Sequence, residues 1–197
     1  MKRVTALVVL GLIIFGAAAG YGLVHHDDTK QTTATGQQTN TNTDSTTKTD
    51  TPTAAPKNQT TEQQLLYLIE EEKLAHDVYT VMYQQYGTNI FGNIIDSETS
   101  HGSQVLTLLK TRNIADPRSA TVGVFKDPDL QALYNQLIDQ AKKSLTDAYK
   151  AGVIIEEKDI ADLTTQLGTT TDQDIIDVLG ILRNGSENHL RAFNRQL

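Results

Sequence analysis

A chain of 197 residues with 17 basic and 24 acidic side chains carries a formal charge of -7 at neutral pH. That balance argues against a protein held to nucleic acid by its overall charge. There is no cysteine, which removes disulfide scaffolds, iron–sulfur clusters, thiolate zinc sites and cysteine nucleophiles. Any metal must therefore sit on carboxylate, imidazole or other oxygen ligands.

Residues 1–24 read as an export segment. Met1-Lys2-Arg3 is basic, and Val4 to Val24 contains no charged side chain. As a helix this stretch is about 31 Å long, enough to span a bilayer. Ala17-Ala18-Ala19 also offers a small-residue cleavage site, so the segment is a signal peptide or an uncleaved membrane anchor. The apolar run continues past Ala19, which favours the anchor. Basic residues before the segment place the rest of the chain outside the cytoplasm. The expected location is the cell surface, or the medium if the segment is removed.

Residues 25–61 are a different polymer, dominated by Thr, Asn, Gln, Asp and Lys. Such a composition cannot bury enough surface to offset its ordering entropy, and it predicts a disordered linker with a reach of roughly 35 Å. His25-His26-Asp27-Asp28 reads as a solvated run rather than a metal site. Residues 62–197 remain for one folded domain of ordinary size.

From there the pattern is helical. Apolar periodicity predicts helices over 61–86, 91–112, 144–167 and 172–197. A short amphipathic helix near Leu130 to Ala141 falls inside the long connection Asn113 to Lys143. The first stripe runs through Leu65, Leu68, Ala75, Tyr79, Met82 and Tyr86, and the position missing from it is Glu72. In the second, Phe91, Ile94, Val105 and Leu108 bracket Glu98 and His101. In the third, Leu145, Tyr149, Gly152, Leu163 and Leu167 bracket Glu156 and Asp159. In the fourth, Ile175, Leu179, Leu182 and Phe193 bracket Ser186 and His189. Each interruption lies near the middle of its helix, so four antiparallel helices bring these residues to one level.

Burying four carboxylates together without compensation is prohibitive, because each ion loses several kcal/mol of solvation. No Lys or Arg falls on the stripes at that level, with Lys73 and Arg191 projecting elsewhere. Two divalent ions would neutralise four carboxylates and use both imidazoles. The predicted metal ligands are Glu72, Glu98, His101, Glu156 and His189, with Asp159 as an optional further one. Glu70 and Glu71 adjoin Glu72 and either could replace it, although the stripe register favours Glu72. His76, one turn on, is either a donor to a ligand or an interfacial residue. Tyr79 reads as a core residue bonded to a ligand carboxylate. Crowding of the acids predicts that Glu98→Gln is neutral or stabilising in the metal-free protein.

These residues resemble those of ferritin-like di-iron carboxylate bundles. The run from Glu72 to Tyr79 is similar to the first-helix pattern of rubrerythrins, and Glu98-Thr99-Ser100-His101 matches a Glu-x-x-His signature. The fragments EEEKLAHDVY, SETSH, IEEKDIADL and GSENHLRAF together resemble a prokaryotic ferritin-like domain family of unassigned function. The resemblance implies an all-α fold: a ferritin-like antiparallel four-helix bundle whose long crossover between the second and third helices carries the short extra helix. It also implies iron, two ions or one, with manganese or zinc compatible with the same ligands. The fourth helix departs from the pattern. Ser186 stands where a second Glu-x-x-His would have its glutamate, and Glu187 is two residues from His189, on the wrong side of the helix. Asp159 could replace the missing carboxylate, as rubrerythrins carry an extra one on the third helix.

The expected function is an extracytoplasmic metal-binding protein that oxidises Fe(II) or reduces peroxide or oxygen, that is, a di-iron oxidoreductase if there is turnover. The alternative is a non-catalytic metal-binding, sensor or envelope interaction module on a flexible stalk. Expected partners are metal ions and, through an uncleaved N-terminal segment, the membrane. A homodimer is compatible with the reading, and nucleic acid is not expected.

Overall fold

The structure is a computed structural model that describes residues 59–197. The expected export segment and nearly all of the expected linker lie outside the described residues. No helix among those described is long and apolar enough to cross a membrane.

The described residues form five helices and no strand: α1 (Thr61–Tyr86), α2 (Asn89–Thr111), α3 (Pro128–Ala141), α4 (Leu145–Leu167) and α5 (Gln173–Asn194). Their starts follow from local chemistry. Thr60 caps α1 in a reciprocal capping box with Gln63, Asp127 accepts from the backbone of Asp129 and Leu130 ahead of Pro128, and Ser144 accepts from Asp147 N–H. Each supplies an acceptor to N–H groups that a helix leaves unsatisfied at its first turn. Gly87 ends α1 in the left-handed conformation at φ 64°, where a side chain would be strained. Only Gly87 and Thr88 separate α1 from α2, so the two pack as an antiparallel hairpin. α4 pairs with α5 in the same way, α3 lies against α4 and α1, and α2 meets α5. Arg112 at the end of α2 ties that last contact with two 2.8 Å bonds to Asp174.

The apolar core comes in two parts. One gathers Leu74, Val78, Tyr79 and Met82 with Phe91, Ile94, Ile155, Phe193 and the buried face of α3. The other gathers Leu65, Leu68 and Ile69 with Val105, Leu109, Leu163, Leu179 and Leu182. In α1, α2, α4 and α5 alike the gap between the two parts holds buried polar residues: Glu70 to Glu72, Glu98 and His101, Glu156 and Asp159, Ser186 and His189. The interruptions of the four stripes do fall at one level. The expected helix bounds hold within a few residues; α2 begins at Asn89 and α5 ends at Asn194.

Candidate metal centre

Glu70, Glu71 and Glu72 are all buried, and successive residues on a helix point about 100° apart. They therefore meet three different neighbours. Glu70 accepts from the backbone N–H groups of Lys126 and Asp127 at 2.8 and 2.9 Å, fixing the chain that enters α3. Glu71 meets Lys158 Nζ of α4 at 2.8 Å. Glu72 faces α2, where its Oε2 lies 3.4 Å from His101 Nδ1. Of the three glutamates, Glu72 is the one that joins the centre.

Two triads form there, Glu72 with Glu98 and His101, and Glu98 with Glu156 and His189, each with ligand atoms within 4.8 Å of one another. Glu98 belongs to both. Its Oε2 accepts from His101 Nδ1 at 3.1 Å, and its Oε1 lies 2.9 Å from His189 Nδ1. His189 Nδ1 is also 3.5 Å from Glu156 Oε2. The two imidazole rings stack 5.7 Å apart. An added Cβ on Gly185 would come within 2.5 Å of the His101 ring, so α5 can approach that imidazole only with glycine at this position. Tyr79 donates to Glu156 Oε1 at 2.5 Å, as expected for a core tyrosine holding a ligand carboxylate.

Burial raises the carboxyls, and the imidazoles decide which of them stay charged. Desolvation together with the charge of Glu98 pushes Glu72 up to about 8, despite help from His101. Glu156 is pushed up to about 7 by burial, against the pull of His189. Asp159 is raised by burial and by the nearby Glu72 carboxylate. Burial acts on Glu98 as well, but the His101 bond and the close His189 imidazole outweigh it and hold this carboxyl down at about 2. Burial lowers the imidazoles, yet their carboxylate partners raise His101 and His189 to about 10. The expectation for Glu98→Gln is therefore corrected. Glu98 is the best compensated acid, and the crowding falls on Glu72, Glu156 and Asp159.

Several atoms here have no hydrogen-bond partner although they are buried: Glu72 Oε1, Asp159 Oδ1 and His189 Nδ1, whose close approach to Glu98 is out of line for a bond. A buried polar atom left unpaired costs about 1–3 kcal/mol. Three glutamates and two imidazoles so placed offer the donor types that a carboxylate–imidazole metal site uses once they are deprotonated. Asp159 stands apart from both triads, and its Oδ2 accepts from Ser186 Oγ. Glu187 is turned out of the centre, within 4 Å of Arg183 and Arg191. His76 approaches Asp77 and not a ligand of the centre, with Nδ1 3.2 Å from Oδ1.

The stripes themselves carry no Lys or Arg, but a cation lies buried beside them: Lys158, which contacts Tyr67 OH at 2.6 Å, Glu71 and Asp162. Burial works against its ammonium, but Glu71, Tyr67 and Asp162 outweigh it and hold Lys158 charged. It was missed because it lies off the stripe of α4, one residue before Asp159, on the side facing α1. Asp162, four residues later, was the available signal.

With this geometry established, comparison with known proteins places the chain. Residues 61–197 match the family described as "Uncharacterized protein domain (DUF2202)". The chain belongs to the DUF2202 family. This DUF2202 protein is 42% identical over 149 residues to uncharacterized protein MJ0754 of Methanocaldococcus jannaschii, covering 74% of this chain and 80% of that one. It is also similar to the crystal structure of hypothetical protein MJ0754 from Methanococcus jannaschii DSM 2661. The TM-score is 0.68 at 41% identity, over 74% of this chain and 85% of that chain. Neither name states an activity.

Proposed function

We propose that this DUF2202 protein is an extracytoplasmic metal-binding protein of ferritin-like build. In this reading α1, α2, α4 and α5 make the four-helix bundle, and α3 is the extra helix of the crossover. The observation that carries it is the pair of triads sharing Glu98, with buried atoms of Glu72 and His189 that have no hydrogen-bond partner. Glu72, Glu98 and His101 would hold one ion, and Glu98, Glu156 and His189 a second. Iron is the favoured ion and two per chain the favoured count. Iron held there would supply the redox chemistry for Fe(II) oxidation or for reduction of peroxide or oxygen.

The chain's own residues would set the conditions for that chemistry. Tyr79 fixes the rotamer of Glu156 by its hydrogen bond, leaving Oε2 toward His189. The two apolar half-cores above and below exclude bulk water from the polar level, which strengthens every charge interaction inside it. Without a cation the centre must hold protons: His101 and His189 are raised and Glu72 is raised with them. Metal binding should therefore expel protons.

A second reading, a metal-binding or sensor module without turnover, is favoured by Ser186. Its hydroxyl engages Asp159, so the α5 side lacks the carboxylate that would match Glu98 on α2. The test is elemental analysis of the chain purified aerobically from iron-supplemented cells, followed by Fe(II) titration of the metal-free protein in weak buffer. Two irons per chain and acidification on titration support the di-iron reading. One bound ion of any kind supports the module, and no metal with no proton release removes both.

A further inference from the structure

A cavity of about 550 Å³ opens between α1, α2 and the segment that precedes α3. Its lining includes Glu72 and Glu98 but not His101, Glu156 or His189. The two triads therefore differ in access: one presents both of its glutamates to this opening, and the other reaches it only through Glu98, the residue they share.

The charges are graded from mouth to floor. At the mouth Arg118 and Asp116 are 26% and 35% exposed, and they neutralise each other through bonds of 2.8 to 3.3 Å. Deeper, Lys73 is spent on Asp77 and on the Thr121 carbonyl. At the floor the side chains of Glu72 and Glu98 are 2% and 4% exposed, and Glu72 Oε1 has no hydrogen-bond partner. With the outer charges paired off, the carboxyl oxygens of the floor are the oxygen donors that a small cation reaches from this side. The passage depends on Gly102, where an added Cβ would sit 3.1 Å from Arg118 Nη1 and 4.0 Å from Glu72 Cβ.

We propose that this cavity is the route by which a divalent cation enters the centre, and that Gly102 keeps it open. The inference rests on the metal-centre reading above and adds direction to it: the ion meets Glu72 and Glu98 first, and then their neighbour His101. Filling of the Glu156 and His189 triad then proceeds by way of Glu98.

The experiment adds Fe(II) anaerobically to the metal-free full-length protein and counts bound iron at timed intervals after rapid desalting. Gly102→Leu should slow filling by about tenfold or more while reaching the same final iron content. Gly180→Leu is the control, because nothing lies within 4 Å of a Cβ there, and it should fill at the wild-type rate. Ser119→Trp narrows the mouth from the connecting segment rather than from α2, and it decides the matter if Gly102→Leu does not fold. Slow filling in either mouth variant with unchanged final iron sustains the route. Wild-type filling rates in the folded mouth variants overturn it and leave the metal centre standing. A wild-type protein that takes up no iron overturns both.

Discussion

Two buried acidic clusters lie one residue apart on α1 and two apart on α4, Glu71 beside Glu72 and Lys158 after Glu156, and they are neutralised in opposite ways. Glu71 and Asp162 close on Lys158, a cation supplied by the chain itself. Glu72, Glu98 and Glu156 close on two imidazoles, whose positive charge is a proton that can leave. An ammonium on a covalent stem is permanent and makes a structural joint between α1 and α4. Protons on imidazole and carboxyl groups are exchangeable, and a divalent ion competes for the same lone pairs. The difference between a brace and a binding site here comes down to whether the cation is tethered.

Lys158→Met should break the first cluster most severely, because it removes the ammonium that Glu71 and Asp162 share. Losing one partner of a buried pair costs about 3–5 kcal/mol, and the loss should be equal with and without metal in chemical denaturation. A loss that metal rescues would mean that the two clusters are not separate.

The pH response should distinguish the second cluster. A raised carboxyl binds protons more tightly folded than unfolded, so Glu72 reduces stability as pH rises from 4.5 toward about 8, and Glu156 does so toward about 7. His101 and His189 contribute stability that is full below 6.5 and lost as pH rises through about 10. Glu98 acts oppositely: its contribution is present above 4.5 and lost as pH falls through about 2. Melting of the metal-free protein should thus weaken steadily from mildly acidic to alkaline pH. Excess metal should reverse that slope below about pH 8, since ligands must be deprotonated to bind. A metal-free melting temperature that climbs across this range would contradict the assignment.

Single substitutions within the centre sharpen the same contrast. His101→Ala should weaken metal binding more than about 100-fold, the upper cost of losing an outer-shell partner, as read by competition with a chelator. Glu72→Gln should be neutral or stabilising without metal, because it removes a carboxyl that burial and Glu98 disfavour, and destabilising with it. Tyr79→Phe should cost about 1–2 kcal/mol in either state, the price of an unpaired buried acceptor on Glu156. A metal-dependent effect at Tyr79 would show that this hydroxyl does more than hold its neighbour.

The helices and the polar level were legible in the sequence because a single stripe per helix is a local property. Leu65 and Leu68 before Glu72, and Ala75 and Tyr79 after it, fix the register of α1 without any tertiary knowledge. The same register puts Glu72, rather than Glu70 or Glu71, beside His101 and Glu98. What escaped was everything on a second buried face. Lys158, Glu71 and Asp162 are off the stripe, and nothing in the periodicity says that α1 and α4 touch there. Glu70 escaped because its partners are backbone N–H groups of Lys126 and Asp127, which carry no signal in a side-chain pattern. The state of Glu98 was misjudged because counting acids at one height ignores which oxygen each imidazole meets.

The run of three glutamates in α1 also acts as a rotational lock. Turning the helix by one residue would present Glu71 to His101 and Glu70 to Lys158, and would leave the start of α3 without its anchor. Each neighbour accepts only one of the three, so no partial rotation satisfies two partners at once. α1 therefore has a single azimuth, on which its polar contacts and its buried apolar stripe agree. A one-residue insertion between Leu68 and Glu70 would leave the acids and the apolar stripe demanding different angles, and the helix would have to kink to answer both.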